Sequence, residues 1–146
     1  MEINFIRGEK SIMLPPGKYI IGDPCYTVPD EEWDHVLDES DCFDGQCWAK
    51  FKTEIGHDCY VVAFSTAWGD GSYQDEEGRN YGVDAGLIGI IPFGNGISNM
   101  MGTNLVEFTG PVFCYYKNGK IIFGNVKIDT DADSEDNNYD DDEEDY

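Results

Sequence analysis

Val112-Phe113-Cys114-Tyr115-Tyr116-Lys117-Asn118-Gly119-Lys120-Ile121-Ile122-Phe123 is the stretch that decides the fold class. Two runs rich in β-branched and aromatic residues are joined by Asn-Gly, the pair that supplies the two positive-φ residues of a type I′ turn. The segment is therefore a β-hairpin. Working outward, the same kind of short apolar run bounded by Gly, Asn and Pro recurs at 18–22, 47–55, 58–67, 80–84, 87–92, 105–109 and 120–128. A tight turn at 67–73 and a polar turn at 75–78 predict two closely spaced hairpins, and 94–102 reads as a Gly-containing loop with Met100 and Met101. One helix is expected at 30–38, with Asp30 as its cap and Trp33, Val36 and Leu37 at i, i+3, i+4 as its inward stripe. The expectation is a mainly β (α+β) chain. It is a single compact antiparallel β domain over 1–128 with one short helix, followed by a disordered acidic tail over 129–146.

Charge sets the second constraint. Eleven of the last eighteen residues are acidic and none is basic, and Asp140, Asp141, Asp142, Glu143, Glu144 and Asp145 run unbroken. Residues 1–128 carry nineteen acidic against nine basic side chains, so the body is acidic as well, and the whole chain has a net charge of −21. Such a field repels nucleic acid and anionic membrane as direct partners and favours a basic protein. No stretch approaches the ~20 apolar residues of a membrane span, and the N-terminus lacks the features of an export signal. Five scattered cysteines without a C-x-x-C pair read as reduced thiols, so a cytoplasmic location is expected, the host cytoplasm if the chain is phage-encoded.

Three blocks stand together in order: Gly22-Asp23-Pro24-Cys25-Tyr26, Gly69-Asp70-Gly71-Ser72-Tyr73 and Asp84-Ala85-Gly86-Leu87-Ile88-Gly89-Ile90-Ile91-Pro92. Over roughly residues 17–92 the chain resembles small proteins of bacteriophages and bacteria that carry the same blocks. The resemblance implies a small β-rich fold and a phage origin; it brings no activity, cofactor or site residue with it.

Several constellations bear on chemistry. Asp23, Asp70 and Asp84 each fall at a strand end beside Gly or Pro, so converging ends would gather three carboxylates with Tyr26 and Tyr73 into a candidate ligand site. The competing reading is that each Asp binds the amides of its own turn. Cys42, Cys47, His57 and Cys59 lack the tight pairing of a zinc knuckle. Cys25 with His35 or His57 is the one sensible pairing for thiol catalysis. Asp129, Asp131, Asp133 and Asp140 match four positions of a calcium loop, but Ser134 stands where that loop needs Gly. The pattern calls for no metal and no cofactor.

The tail fits a phosphate mimic better. An extended chain advances about 3.3 Å per residue, close to the ~3.4 Å charge spacing along one DNA strand. Tyr139 and Tyr146 bracket the acidic run where bases would stack. The leading expectation is a non-enzymatic acidic accessory protein, phage-encoded, whose tail residues 140–145 bind and inhibit a basic host protein of the nucleic-acid-binding or defence type. Two other classes stay open: a small enzyme or ligand-binding domain using the strand-end acids, and a structural protein of the virion.

Overall fold

Among the described residues every strand pairing is antiparallel. The computed structural model describes residues 4–5, 11–41, 47–66, 71–97, 102–117 and 119–130. Its strands are β1 (Asn4–Phe5), β2 (Ser11–Leu14), β3 (Gly17–Gly22), β4 (Trp48–Lys52), β5 (Asp58–Ser65), β6 (Gly71–Gln74), β7 (Asn80–Val83), β8 (Leu87–Pro92), β9 (Asn104–Phe108), β10 (Val112–Lys117), β11 (Lys120–Phe123) and β12 (Val126–Asp129), with one helix, α1 (Asp30–Ser40). A central sheet runs in the order β4-β5-β8-β3-β9, an outer sheet in the order β1-β2-β10-β11-β12, and β6 and β7 form a separate hairpin.

The central sheet is covered on both faces. Toward the outer sheet it presents Tyr19, Ile21, Val62, Phe64, Ile88 and Ile90, which pack with Ile12, Cys114, Ile121, Phe123 and Ile128. Toward α1 it presents Ile20, Val61, Ala63, Leu87 and Ile91, which pack with Val36, Trp33 and Leu37. Burial on two sides explains why β3, β5 and β8 read as continuous apolar runs and not as strict alternations. On the outer sheet β10 alternates, with Val112 and Cys114 buried toward the central sheet and Phe113 and Tyr115 half-buried on the other face, where Tyr115 stands between buried Ser11 and Ile122.

The hairpin of the opening stretch forms as expected: Lys117 pairs with Lys120 and leaves a two-residue connection, in which Gly119 has φ 81°. Asn118 lies outside the described residues. The expected strand at 120–128 is instead two strands, because Gly124 takes φ 62° and reverses the chain so that Phe123 pairs with Val126. β2 was not anticipated; Pro15 follows its four residues at once, so no period is long enough to read. The polar stretch after Gly71 contributes β6 as a strand of the hairpin with β7.

The helix runs to Ser40, beyond the expected end, and its stripe is the expected one. Its cap is different: Pro29 occupies the N-cap position with no side-chain hydrogen bond, and Asp30 is the first helical residue. Asp129 closes β12, and Thr130 is buried with its amide donating to the Gly119 carbonyl at 2.8 Å, so both belong with the body. Among the described residues no helix is long and apolar enough to cross a membrane.

Candidate functional site

Asp23 sits where β3 ends and a 3-10 turn, Pro24–Tyr26, begins. It is fully buried. Its Oδ1 accepts the amide of Cys25 at 3.0 Å, and its Oδ2 accepts the amides of both Asp84 and Ala85 at 2.6 Å. One carboxylate thus ties the first turn to the β7–β8 connection, some sixty residues away. Three charge-assisted bonds commit both oxygens to backbone. Asp23 and Asp84 do converge, but through the Asp84 amide; the Asp84 side chain is exposed.

Tyr26 joins this corner. It is 39% exposed, and its phenol is pushed upward by partial burial, with the Asp84 carboxylate, Cys25 and Asp23 adding to the shift. Burial, assisted by Asp23 and Asp84, also pushes the Cys25 thiol up to about 12. A nucleophilic cysteine needs the opposite shift, since the thiolate is the reactive form. Tyr73 does not join: it packs into the core between the sheets. Asp70 lies outside the described residues, as do 131–146, and so do Asp140, Asp141, Asp142, Glu143, Glu144 and Asp145.

The zinc candidates are separated by the central sheet itself. Cys47 packs on the face toward the outer sheet and Cys59 on the face toward α1, while His57 precedes β5 and is exposed. Cys42 lies outside the described residues. Burial pushes the Cys59 thiol up to about 11. Among the described residues no group of three or more His, Cys, Asp or Glu side chains is placed to hold a metal ion.

Two arrangements were not read from sequence. The first is a buried network on Asp75, whose Oδ1 accepts the amides of Glu77 and Arg79 at 2.9 Å and whose Oδ2 accepts Arg79 Nη1 at 2.9 Å and the Tyr81 hydroxyl at 2.7 Å. Burial by itself would raise the Asp75 carboxyl; the bonds from Tyr81, Arg79 and Glu77 outweigh it and hold the group below its ordinary value. The second lies along the free edge of the central sheet. Glu39 accepts the Lys50 amide at 2.8 Å and Glu32 accepts the Lys52 amide at 2.9 Å. Seven residues apart, these glutamates share one side of α1 and occupy outward donors of β4 that a neighbouring strand would otherwise use. A groove of about 710 Å³ opens beside this edge, lined by Trp48, Lys50, Tyr60, Phe93, His35 and Glu32 among others.

The opposite side of α1 carries a line of acids. Asp30, Asp34, Asp38 and Asp41 recur at i, i+4, i+8 and i+11, all exposed, and no basic residue stands in the last turn. Asp30, Asp34 and Asp38 follow one another at about 6 Å along the axis, and Asp41 caps the helix end.

Set against protein-family models, curated proteins and solved structures, the chain matches none of them.

Proposed function

We propose that this chain is a non-enzymatic, phage-encoded accessory protein that binds and inhibits a basic host protein of the nucleic-acid-binding or defence type, by presenting carboxylates where that protein expects phosphates. The aspartate line on α1 carries the reading. Like charges at i, i+4 cost a helix roughly 0.2–0.5 kcal/mol per pair, and acids near its C-terminus oppose the helix dipole. Asp is also a weak helix former. Asp34, Asp38 and the C-cap residue Asp41 therefore work against the helix, whereas Asp30 in its first turn favours the N-terminus, and the four pack against no core that would offset the repulsion. A rise of about 6 Å matches roughly two phosphate steps of a DNA strand, about 6.8 Å. Residues 140–145 extend the same charge pattern in sequence. The enzyme alternative is weakened at its centre, because Asp23 spends both oxygens on backbone amides and Cys25 is held as a thiol.

The test is retention of proteins from a bacterial lysate on the immobilised full chain, with elution by stepped salt and by competing DNA. Nucleic-acid-binding proteins released by both eluents, and lost when the four helix aspartates and 140–145 are changed to Asn and Gln, are the expected result. Retention indifferent to salt, to DNA or to those changes would overturn the proposal.

A further inference from the structure

The β4 edge of the central sheet offers an unusual set of groups. The Ala63 amide donates to the Cys47 carbonyl and the Thr53 amide to the His57 carbonyl, each at 2.8 Å, so the odd-numbered residues here bond inward to β5. In an antiparallel strand the N–H and C=O of one residue point the same way, and Lys50 and Lys52 therefore turn both groups outward. Their amides are taken by Glu39 and Glu32. Their carbonyls face no further strand, because β4 is the last strand of its sheet. The edge has thus lost its donors and kept its acceptors. Glu32 spends one oxygen on the Lys52 amide, and among the described residues its other oxygen has no hydrogen-bond or ion-pair partner.

The groove of about 710 Å³ opens at this edge, lined by Glu32, Lys50 and Lys52 together with the rings of Trp48, Tyr60 and Phe93. Its volume lies within the ~300–1,000 Å³ usual for ligand sites. Phe93 is 42% exposed and Trp48 half-buried, so both rings are open to a visitor. The Lys52 ammonium is already held by Asp58 Oδ1 at 2.6 Å. Another β-strand is a poor occupant, since it needs donors as well as acceptors. An anion would meet carbonyl oxygens and a carboxylate. The occupant that fits is planar and cationic and carries donors alone. Guanidinium is that group: it has five N–H donors, no acceptor, and a flat face that stacks on aromatic rings.

We propose that this groove seats an arginine side chain of the basic partner, its guanidinium donating to the Glu32 carboxylate and to the Lys50 and Lys52 carbonyls, its plane and stem against the aromatic rings. The inference rests on the proposed function for the source of the arginine, and it adds selectivity: the α1 aspartates draw any basic surface by charge, whereas the groove reads the shape of one side chain. Lys50 works against a cation here, and among the described residues its ammonium forms no ion pair.

Titration of the ¹⁵N-labelled full chain with the blocked tripeptide acetyl-Gly-Arg-Gly-amide tests this, read from amide and indole NMR signals at about 0.15 M salt, where the Debye length is about 8 Å. Saturable shifts at the Lys50 and Lys52 amides and the Trp48 indole are expected, with affinity about tenfold weaker for the Gly-Lys-Gly counterpart. Glu32→Gln keeps an oxygen for the Lys52 amide and turns an NH₂ toward the guanidinium, so the edge stays capped while affinity falls about tenfold or more. Lys50→Gln removes the opposing charge and should tighten binding. Equal affinity for the two peptides, shifts centred on Asp30, Asp34 and Asp38, or a Glu32→Gln variant that binds as the wild type does would overturn the proposal. So would weaker binding by Lys50→Gln, or the same signals saturating with inorganic phosphate, since either result marks an anion site. The titration needs only the isolated chain. A groove that ignores arginine leaves retention of lysate proteins through the α1 aspartates untouched, and a groove that binds arginine while the lysate yields no basic partner refutes the proposed function and leaves the arginine site standing.

Discussion

Asp23→Asn tests the reading of the buried acid as a clasp. The substituted amide keeps one oxygen, so whichever way it turns, at least one of the three backbone donors now faces an NH₂ group. Turning to keep Asp84 and Ala85 leaves the Cys25 amide without an acceptor, at about 1–3 kcal/mol. The two retained bonds fall from charge-assisted to neutral strength, about 1 kcal/mol each, while relief from burying a charge offsets part of the loss. A net cost of about 2–4 kcal/mol follows, a large share of the ~5–15 kcal/mol that holds a domain together. Urea denaturation of the full chain reads the cost, and hydrogen exchange at the Asp84 and Ala85 amides reads its location. Asp84→Asn is the control, because its side chain is exposed and only its amide is held; a change within about 0.5 kcal/mol is expected there. An Asp23→Asn variant as stable as wild type would refute the clasp. So would a saturable ligand-dependent rise in Tm that both substitutions abolish, since that outcome belongs to a binding site.

Acid should act through Asp75. Its folded carboxyl is held below the ordinary 3.8, so its stabilisation is present above that pH and is lost as pH falls through the lower folded value; Asp75→Asn should flatten this part of the stability-against-pH curve, and an identical curve for both proteins would contradict the network. Changing Glu32 and Glu39 together to Ala uncovers the Lys50 and Lys52 amides at the β4 edge, and more concentration-dependent self-association by light scattering than in the wild type is expected. Gly89→Ala would bring a Cβ within 2.9 Å of both Pro24 Cγ and the Val62 carbonyl, and overpacking of this kind costs about 1–3 kcal/mol, measurable by thermal unfolding. Changing Asp34, Asp38 and the C-cap Asp41 to Asn should raise helix stability by a few tenths of a kcal/mol per removed pair while it weakens salt-sensitive partner retention; a fall in stability would show that the line has a structural role.

What was legible in the sequence was whatever local period records. β8 matches its expected bounds because burial on both faces makes Leu87 to Pro92 a continuous apolar run between turn residues, and the Trp33, Val36 and Leu37 stripe shows because its spacing lies within one helix. What escaped depends on partners distant in sequence. Asp75 reads as one more turn acid until Arg79 and Tyr81 are brought onto its second oxygen, and Glu32 and Glu39 read as surface charge until β4 is laid alongside α1. The strand-end acids were ambiguous for the same reason. Whether Asp23 holds a ligand or an amide turns on Asp84 and Ala85, and the sequence around Asp23 says nothing of them.

The first and third of the three sequence blocks prove to be one tertiary lock. Gly22 pairs with Gly89, Asp23 grips the amides of Asp84 and Ala85, and Pro24 packs where a side chain on Gly89 would stand. Gly22, Asp23, Pro24 and Gly89 each have a steric or hydrogen-bonding reason internal to the body. A chain carrying both blocks is therefore constrained to build this corner of the central sheet, and it is free elsewhere. The acids of α1 and the lysines of the outer sheet lie on surfaces that the lock leaves unconstrained, so proteins sharing the blocks are expected to share the fold while differing in what they bind. Partner choice should accordingly follow grafts of the α1 surface and the tail between such chains, with the lock left untouched.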